Sequence, residues 1–272
     1  MQIEQTLKRM DLGPLHKLPN NLQVAYLNTN EADAMYREIF EDQTYSKHGV
    51  TFRDGDYVFD VGANIGLFTL FVHGRCRAPH VYAFEPIPAT FDKLQNNMAL
   101  YGLDVNLFNY GLSSESKETE ITFYPHWSTM SGAYANAQED EDVTRAYLNN
   151  LTDGELPSEE IDDILEGRFK AEPVRCRMRT LSEVISEHRI ERIDLLKVDV
   201  EKSELDVLRG IEEDDWSKII QVVLEVHDCE RRLETIETLL ARHDFDVVID
   251  QDKLLENTEL YNLYALKRIR SN

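Results

Sequence analysis

At 272 residues with 42% hydrophobic side chains, the chain is long enough for one decorated α/β domain with a real core. Its 51 acidic against 29 basic residues leave a formal charge of −22, which argues against gripping nucleic acid through phosphates or docking on an anionic membrane. The three cysteines, Cys76, Cys176 and Cys229, form no C-x-x-C motif and suit reduced thiols in a cytoplasm; no apolar run approaches the roughly 20 residues of a membrane span.

Residues 1–55 read as an N-terminal cap, beginning on Met1–Lys8, which lacks the apolar stretch of a signal peptide. Within the cap, Leu22–Tyr26 alternates weakly as a strand, and Glu31–Phe40 carries apolar residues at helical spacing. The main domain is expected over 56–272. Tyr57–Val61, Val81–Phe84 and Val105–Phe108 are short apolar runs, and helical patterns over Leu67–His73 and Ala89–Tyr101 separate them. Strands alternating with helices predict a parallel sheet covered on both faces. Glu120–Tyr124 and Val174–Thr180 alternate like strands. Between them, Pro125–Lys170 looks irregular, and its acid runs, Gln138–Asp142 and Ser158–Asp163, read as a solvated insertion around 135–170.

The α/β rhythm resumes with a helix over Leu181–His188, a strand over Ile193–Asp199 and a short helix from Ser203, a possible N-cap, to Gly210. A strand over Ile219–Val226 and a helix over Glu230–Arg242 follow. Phe245–Ile249 and Leu260–Leu266 have no helix between them, which suggests an antiparallel pair at one sheet edge.

The segment richest in chemistry is Phe59-Asp-Val-Gly-Ala-Asn-Ile-Gly66, which leaves a strand and opens a helix. Open α/β sheets bind ligands beyond the carboxyl ends of their strands. The glycines here are four apart, unlike the G-x-G-x-x-G dinucleotide pattern, which disfavours a nicotinamide oxidoreductase. Asp60 and Asn64 suit an amino-acid group better than a pyrophosphate. Glu85 ends the next strand, where an acid can accept both hydroxyls of a ribose.

Asp60-Val-Gly-Ala-Asn-Ile-Gly66, Ala83-Phe-Glu-Pro86, Leu196-Lys-Val-Asp-Val-Glu201 and Glu204-Leu-Asp-Val-Leu-Arg-Gly210, in that order, resemble the FkbM family of S-adenosylmethionine-dependent methyltransferases. Glu38–Tyr45 and Leu260–Ala265 resemble a narrower branch, the O-methyltransferase domains of bacterial polyketide and mixed peptide–polyketide synthases. The resemblance implies a class I methyltransferase (Rossmann-like) fold: a seven-stranded, mostly parallel sheet with helices on both faces and an antiparallel last strand. It implies that Asp60, Gly62, Asn64 and Gly66 line the methionine part of S-adenosylmethionine. Glu85 would hold the ribose, Pro86 and Ile87 would border the adenine, and Gly111 and Leu112 within Asn109–Ser113 would close over it. Asp199 would face the methionine ammonium or the reaction centre.

O-methylation aligns an acceptor oxygen about 3 Å from the methyl carbon, and a general base contributes about 10²–10⁴-fold. Asp199 and Glu201 close one central strand, and Glu225 and His227 close another. His227 is the expected base, because its ordinary pKa lies near neutrality, and Glu225 would orient it or bind the acceptor. Asp199, Glu225 and His227 would also suit a divalent cation; the expectation is a metal-free site. Tyr124–Tyr134 is a candidate wall of the acceptor pocket, and Tyr45 and His48 are candidate covers of the cofactor. The absence of an Asn/Asp-Pro-Pro-aromatic turn after Asp199 favours oxygen over nitrogen as acceptor. The expected reaction is O-methylation of a small secondary metabolite, a polyketide-type β-hydroxyl presented on an acyl carrier protein, with Arg231 and Arg232 as the carrier's landing site. A sugar hydroxyl and a non-catalytic docking module are the alternatives.

Overall fold

The structure, a computed structural model, describes residues 13–268. The cap expected over 1–55 therefore has its first stretch, Met1–Lys8 included, outside the described residues, as are residues 269–272 of the main domain. The described chain opens on a short antiparallel pair, β1 (Leu15–Lys17) and β2 (Gln23–Ala25). Helix α1 (Thr29–Tyr36) follows, started by Asn28, whose side chain accepts from the Asn30 and Glu31 amides. A π turn over Arg37–Glu41 extends it and displaces the next side chains around the axis.

The βαβαβ run is as expected: β3 (Tyr57–Val61), α2 (Leu67–Arg75), β4 (His80–Phe84), α3 (Pro88–Tyr101, with proline in its first turn) and β5 (Val105–Phe108). A separate three-stranded sheet then forms from β6 (Gly111–Leu112), β7 (Lys117–Phe123) and β8 (Glu172–Arg179), in the order β6-β8-β7.

Between β7 and β8 the expected irregular stretch is largely helical, while most of its acids are exposed as expected. Ala137–Leu151 is helix α4 and Ser158–Leu165 is helix α5. They cover a satellite core of Tyr124, Ile161, Leu165 and Phe169, with Trp127 and Leu148 packed against it. The acid run is not wholly exposed: Asp140 is buried, where Lys202 Nζ (2.9 Å), the Tyr124 hydroxyl (3.0 Å) and the Asn136 amide (2.9 Å) all donate to it. A buried carboxylate needs such partners.

The second half follows as α6 (Leu181–His188), β9 (Leu195–Val198), α7 (Glu204–Arg209), β10 (Gln221–His227), α8 (Arg232–Arg242), β11 (Phe245–Asp250) and β12 (Leu260–Lys267). Thr180 and Glu183 form a capping box at the start of α6. Ser203 makes no such cap on α7: its side chain accepts no cap bond, and Glu204 instead accepts from the Lys202 amide.

The main sheet runs β11-β12-β10-β9-β3-β4-β5. Pairings from β10 to β5 are parallel, and β12 inserts antiparallel between β10 and β11. This is the class I methyltransferase arrangement. Side chains alternate across each strand, so β3 sends Phe59 and Val61 into the core on one face and Val58 into the core on the other. Sequence order reverses between β3 and β9, and the crevice at their carboxyl ends holds the site.

Candidate active site

The turn after β3 is built around a close approach. Gly62 has φ 77°, and a Cβ there would lie 1.7 Å from the Asp199 carbonyl oxygen, so any side chain would push β3 and β9 apart. The Gly62 and Ala63 amides bond the Phe84 carbonyl at 3.1 and 2.9 Å, tying the turn to β4. A cavity of about 140 Å³ opens beside it, lined by Gly62, Ala63, Asn64, Glu85, Pro86, Ile87, Gly111, Leu112, Asp199 and Glu225 among others. All of these except Ala63 are residues named from the sequence.

Glu85 is buried at the end of β4. Its carboxylate accepts from the Asn64 amide (3.1 Å) and the Ile87 amide (2.9 Å), and burial pushes its pKa up to about 7 against those bonds. Asn64 Oδ1 is turned back on the Ile65 amide at 2.7 Å.

Three expected site residues stand elsewhere. Asp60 is fully buried and does not line the cavity. The two-residue period of β3 turns it, like Val58, toward α2, where the Thr69 hydroxyl donates to it at 2.7 Å and Lys197 Nζ lies 3.2 Å away. Gly66 is also off the cavity; a Cβ there would meet Leu94 at 2.6 Å and Met98 at 2.9 Å, so it lets α3 pack closely. His227 lines neither this cavity nor the next. It is buried between two acids, with Nδ1 3.4 Å from Glu204 and Nε2 3.3 Å from Glu201. Nε2 has no hydrogen-bond partner among the described residues. Glu201 therefore stands between His227 and both cavities.

Three further residues reach this crevice: Lys197 and Glu38, which the sequence did not single out, and Glu201, which it offered only as a strand-end acid beside Asp199. Lys197 is buried under the turn and donates to the Gly62 carbonyl (2.7 Å), with Asp60 and Asp199 each 3.2 Å away. Burial lowers its pKa, but the two carboxylates more than reverse that, so it stays charged. Glu38, on the π turn, reaches the same crevice, and burial followed by the Asp199 charge raises it to about 7. Glu201 sits on a loop held in left-handed backbone, with φ 46° at Glu201 and 66° at Lys202. Adjacent strained residues of this kind cluster at functional sites. Burial and the neighbouring Asp199 push both Glu201 and Glu225 well above the carboxylate range. Asp199, Glu201 and Glu225 hold carboxylate oxygens within 4.8 Å of one another.

Tyr45 bridges the cap to this cluster, donating to Asp199 at 3.0 Å, whereas His48 faces Asp250 at 2.8 Å away from the cavity. Ser128, Thr129, Ser131 and Gly132 from the expected wall segment line the cavity. Tyr110 and Asn109 do not; Asn109 Nδ2 instead donates to the Glu85 and Pro86 carbonyls. Of the expected basic landing patch, Arg232 is mostly buried and bonds Glu204 at 3.1 Å, leaving Arg231 exposed beside Glu234.

A second cavity of about 190 Å³ adjoins the first. The two share Met35, Glu38, Thr129, Glu201 and Glu225. The result is two chambers meeting at a cluster of carboxylates.

This sheet order, glycine turn and strand-end Glu85 define the class, a methyltransferase of class I fold. Residues 60–247 match the methyltransferase FkbM domain, and the chain belongs to the FkbM methyltransferase family. It is 41% identical over 250 residues to the 31-O-demethyl-FK506 methyltransferase FkbM of Streptomyces tacrolimicus, covering 92% of this chain and 95% of that one. It is 44% identical over 260 residues to the AMB antimetabolite synthetase AmbE of Pseudomonas aeruginosa, covering 92% of this chain but 12% of that protein. It is 27% identical over 176 residues to the hexuronic acid methyltransferase AglP of Haloferax volcanii, covering 64% of this chain and 57% of that one. No helix among the described residues is long and apolar enough to cross a membrane.

Proposed function

We propose that the protein is an S-adenosylmethionine-dependent O-methyltransferase acting in the cytoplasm on a hydroxyl of a small secondary metabolite, a β-hydroxyacyl group presented on an acyl carrier protein. In this reading residues 56–272 form the catalytic domain and the cap closes over it. The observation that carries it is the pair of cavities meeting at Glu38, Glu201 and Glu225. One chamber suits the cofactor and the other the acceptor, with bases at the junction.

The residues of the first chamber fit S-adenosylmethionine. Gly62 leaves room against the chain. Glu85 is anchored by two backbone amides and keeps lone pairs for a vicinal diol. Asp199, between Lys197 and Tyr45, offers a carboxylate to an ammonium. The cofactor supplies an electrophilic methyl group on a sulfonium.

The chain's own task is to hold the acceptor oxygen in line and take its proton. Glu201 is the group placed to do so: it faces both chambers, and the burial that raises its pKa makes its ionised form the stronger base, to which the acceptor O–H proton passes. His227, behind it, is a positioning residue, with Nε2 3.3 Å from the Glu201 carboxylate. Glu225 binds the acceptor hydroxyl. The hexuronic acid methyltransferase keeps a sugar hydroxyl as the second reading.

Calorimetric titration with S-adenosylhomocysteine tests the cofactor assignment. Micromolar binding by wild type, weakened at least tenfold in Glu85→Ala, is expected. No binding by folded wild type overturns it.

A further inference from the structure

We infer that the second chamber is an acyl pocket whose acidic lining selects an uncharged hydroxyacyl ester or thioester and rejects the free hydroxy acid. This rests on the O-methyltransferase reading and sharpens its substrate class. The walls are apolar, from Trp127, Met130, Val143, Tyr147, Leu254 and Leu255. They come from three elements: the β7–α4 loop, α4 and the β11–β12 loop. Asn150 fastens the last two together, its Nδ2 donating to the Leu254 and Glu256 carbonyls at 3.0 Å each. The pocket therefore joins the expected wall segment, through Trp127 and Met130, to the insertion, through Val143 and Tyr147, and to the β11–β12 loop.

Size limits the occupant. An engineered apolar cavity of about 150 Å³ takes benzene, so about 190 Å³ here admits an acyl segment of roughly six carbons. Charge limits it further. Five acids line the chamber, Glu38, Asp42, Glu201, Glu225 and Asp252, against one cation, Arg37; burial holds Glu201 and Glu225 largely uncharged, so the repulsion rests on Asp42, Asp252 and Glu38. Tyr147 reports on that field from within. Burial pushes its phenol up, Arg37 opposes, and Glu38, Asp252 and Asp42 push it higher still. An acceptor carboxylate entering the chamber would meet the same burial and the same three acids. Masking that carboxylate as an ester or thioester removes the penalty and leaves the hydroxyl free to reach Glu201. A hexuronic acid would suffer the same repulsion as the free acid.

The test is calorimetry on the full chain saturated with S-adenosylhomocysteine. The probes are 3-hydroxyhexanoyl-N-acetylcysteamine thioester and 3-hydroxyhexanoate. The thioester should bind at least tenfold more tightly than the acid. Asp42→Asn/Asp252→Asn should narrow that gap at least threefold by strengthening the acid. Val143→Trp, which fills the chamber, should abolish thioester binding while leaving S-adenosylhomocysteine affinity unchanged; Leu255→Trp, from the opposite wall, serves if Val143→Trp does not fold. Equal binding of the two probes, tighter binding of the acid, or binding of neither overturns the inference. The S-adenosylhomocysteine titration on the same samples reports the cofactor site separately, so a failure of the broader reading appears there and not in the probe comparison.

Discussion

Lys197→Met removes the one cation beneath the glycine turn and keeps most of its apolar stem. Asp60 is fully buried, and its polar partners would reduce to the Thr69 hydroxyl. Breaking a buried pair by deleting one member costs about 3–5 kcal/mol. A second route gives a similar figure: protonating a carboxyl of ordinary pKa near 4 at pH 7 costs about 4 kcal/mol, at 1.36 kcal/mol per pH unit. At about 2–4 °C per kcal/mol for larger domains, Tm should fall by about 10 °C. Because the cost is that of proton uptake, the deficit relative to wild type should shrink by about 2.7 kcal/mol between pH 7 and pH 5. Asp60→Asn on the Lys197→Met background should recover part of the loss, with a coupling of about 0.5–3 kcal/mol. Thermal melts and urea unfolding at both pH values measure all three. A Tm within about 2 °C of wild type, or a deficit equal at pH 5 and pH 7, refutes the uncompensated-charge argument.

Burial raises Glu31, Glu38 and Glu85 each to about 7, above the ordinary 4.5. Such groups favour folding below pH 4.5 and lose that contribution as pH rises through 7, so Tm without cofactor should fall from pH 5 to pH 8. Glu31→Gln, which keeps an acceptor for the Thr129 amide, should flatten that fall; a Tm that rises over the interval contradicts the assignment. Gly62→Ala should abolish S-adenosylhomocysteine binding or prevent folding, and calorimetry showing wild-type affinity would contradict the 1.7 Å approach to Asp199. His227→Ala should lower kcat about tenfold and leave the acceptor KM unchanged, since it removes the ring that packs behind Glu201 without touching the acceptor. A kcat within about twofold of wild type, or a raised KM, would contradict the positioning role.

Much of the fold was legible because buried parallel strands write themselves as short apolar runs bounded by turn residues, glycines around Tyr57–Val61 and prolines around Val81–Phe84. The insertion was not. Val143, Tyr147 and Leu148 carry helical spacing in α4, but the acids from Glu139 to Asp142 hide it, and only the structure shows Lys202 neutralising Asp140. Strand-end chemistry was half legible. Period-two geometry could have warned that Asp60 shares its face with Val58 rather than with Val61. Nothing local announces that the left-handed pair Glu201–Lys202 would interpose Glu201 before His227, because that depends on a loop meeting a neighbouring strand. Glu38 was hidden by the π turn, which moves it off the phase that regular helical spacing implies.

The most direct test of the account is single-turnover methyl transfer to the hydroxyacyl thioester by Glu201→Gln, with S-adenosylhomocysteine affinity measured on the same protein. The account predicts a rate lowered by about 10²–10⁴-fold at unchanged affinity. A rate within about threefold of wild type would remove Glu201 from the chemistry and, with it, the claim that the acceptor's proton leaves at the junction of the two chambers.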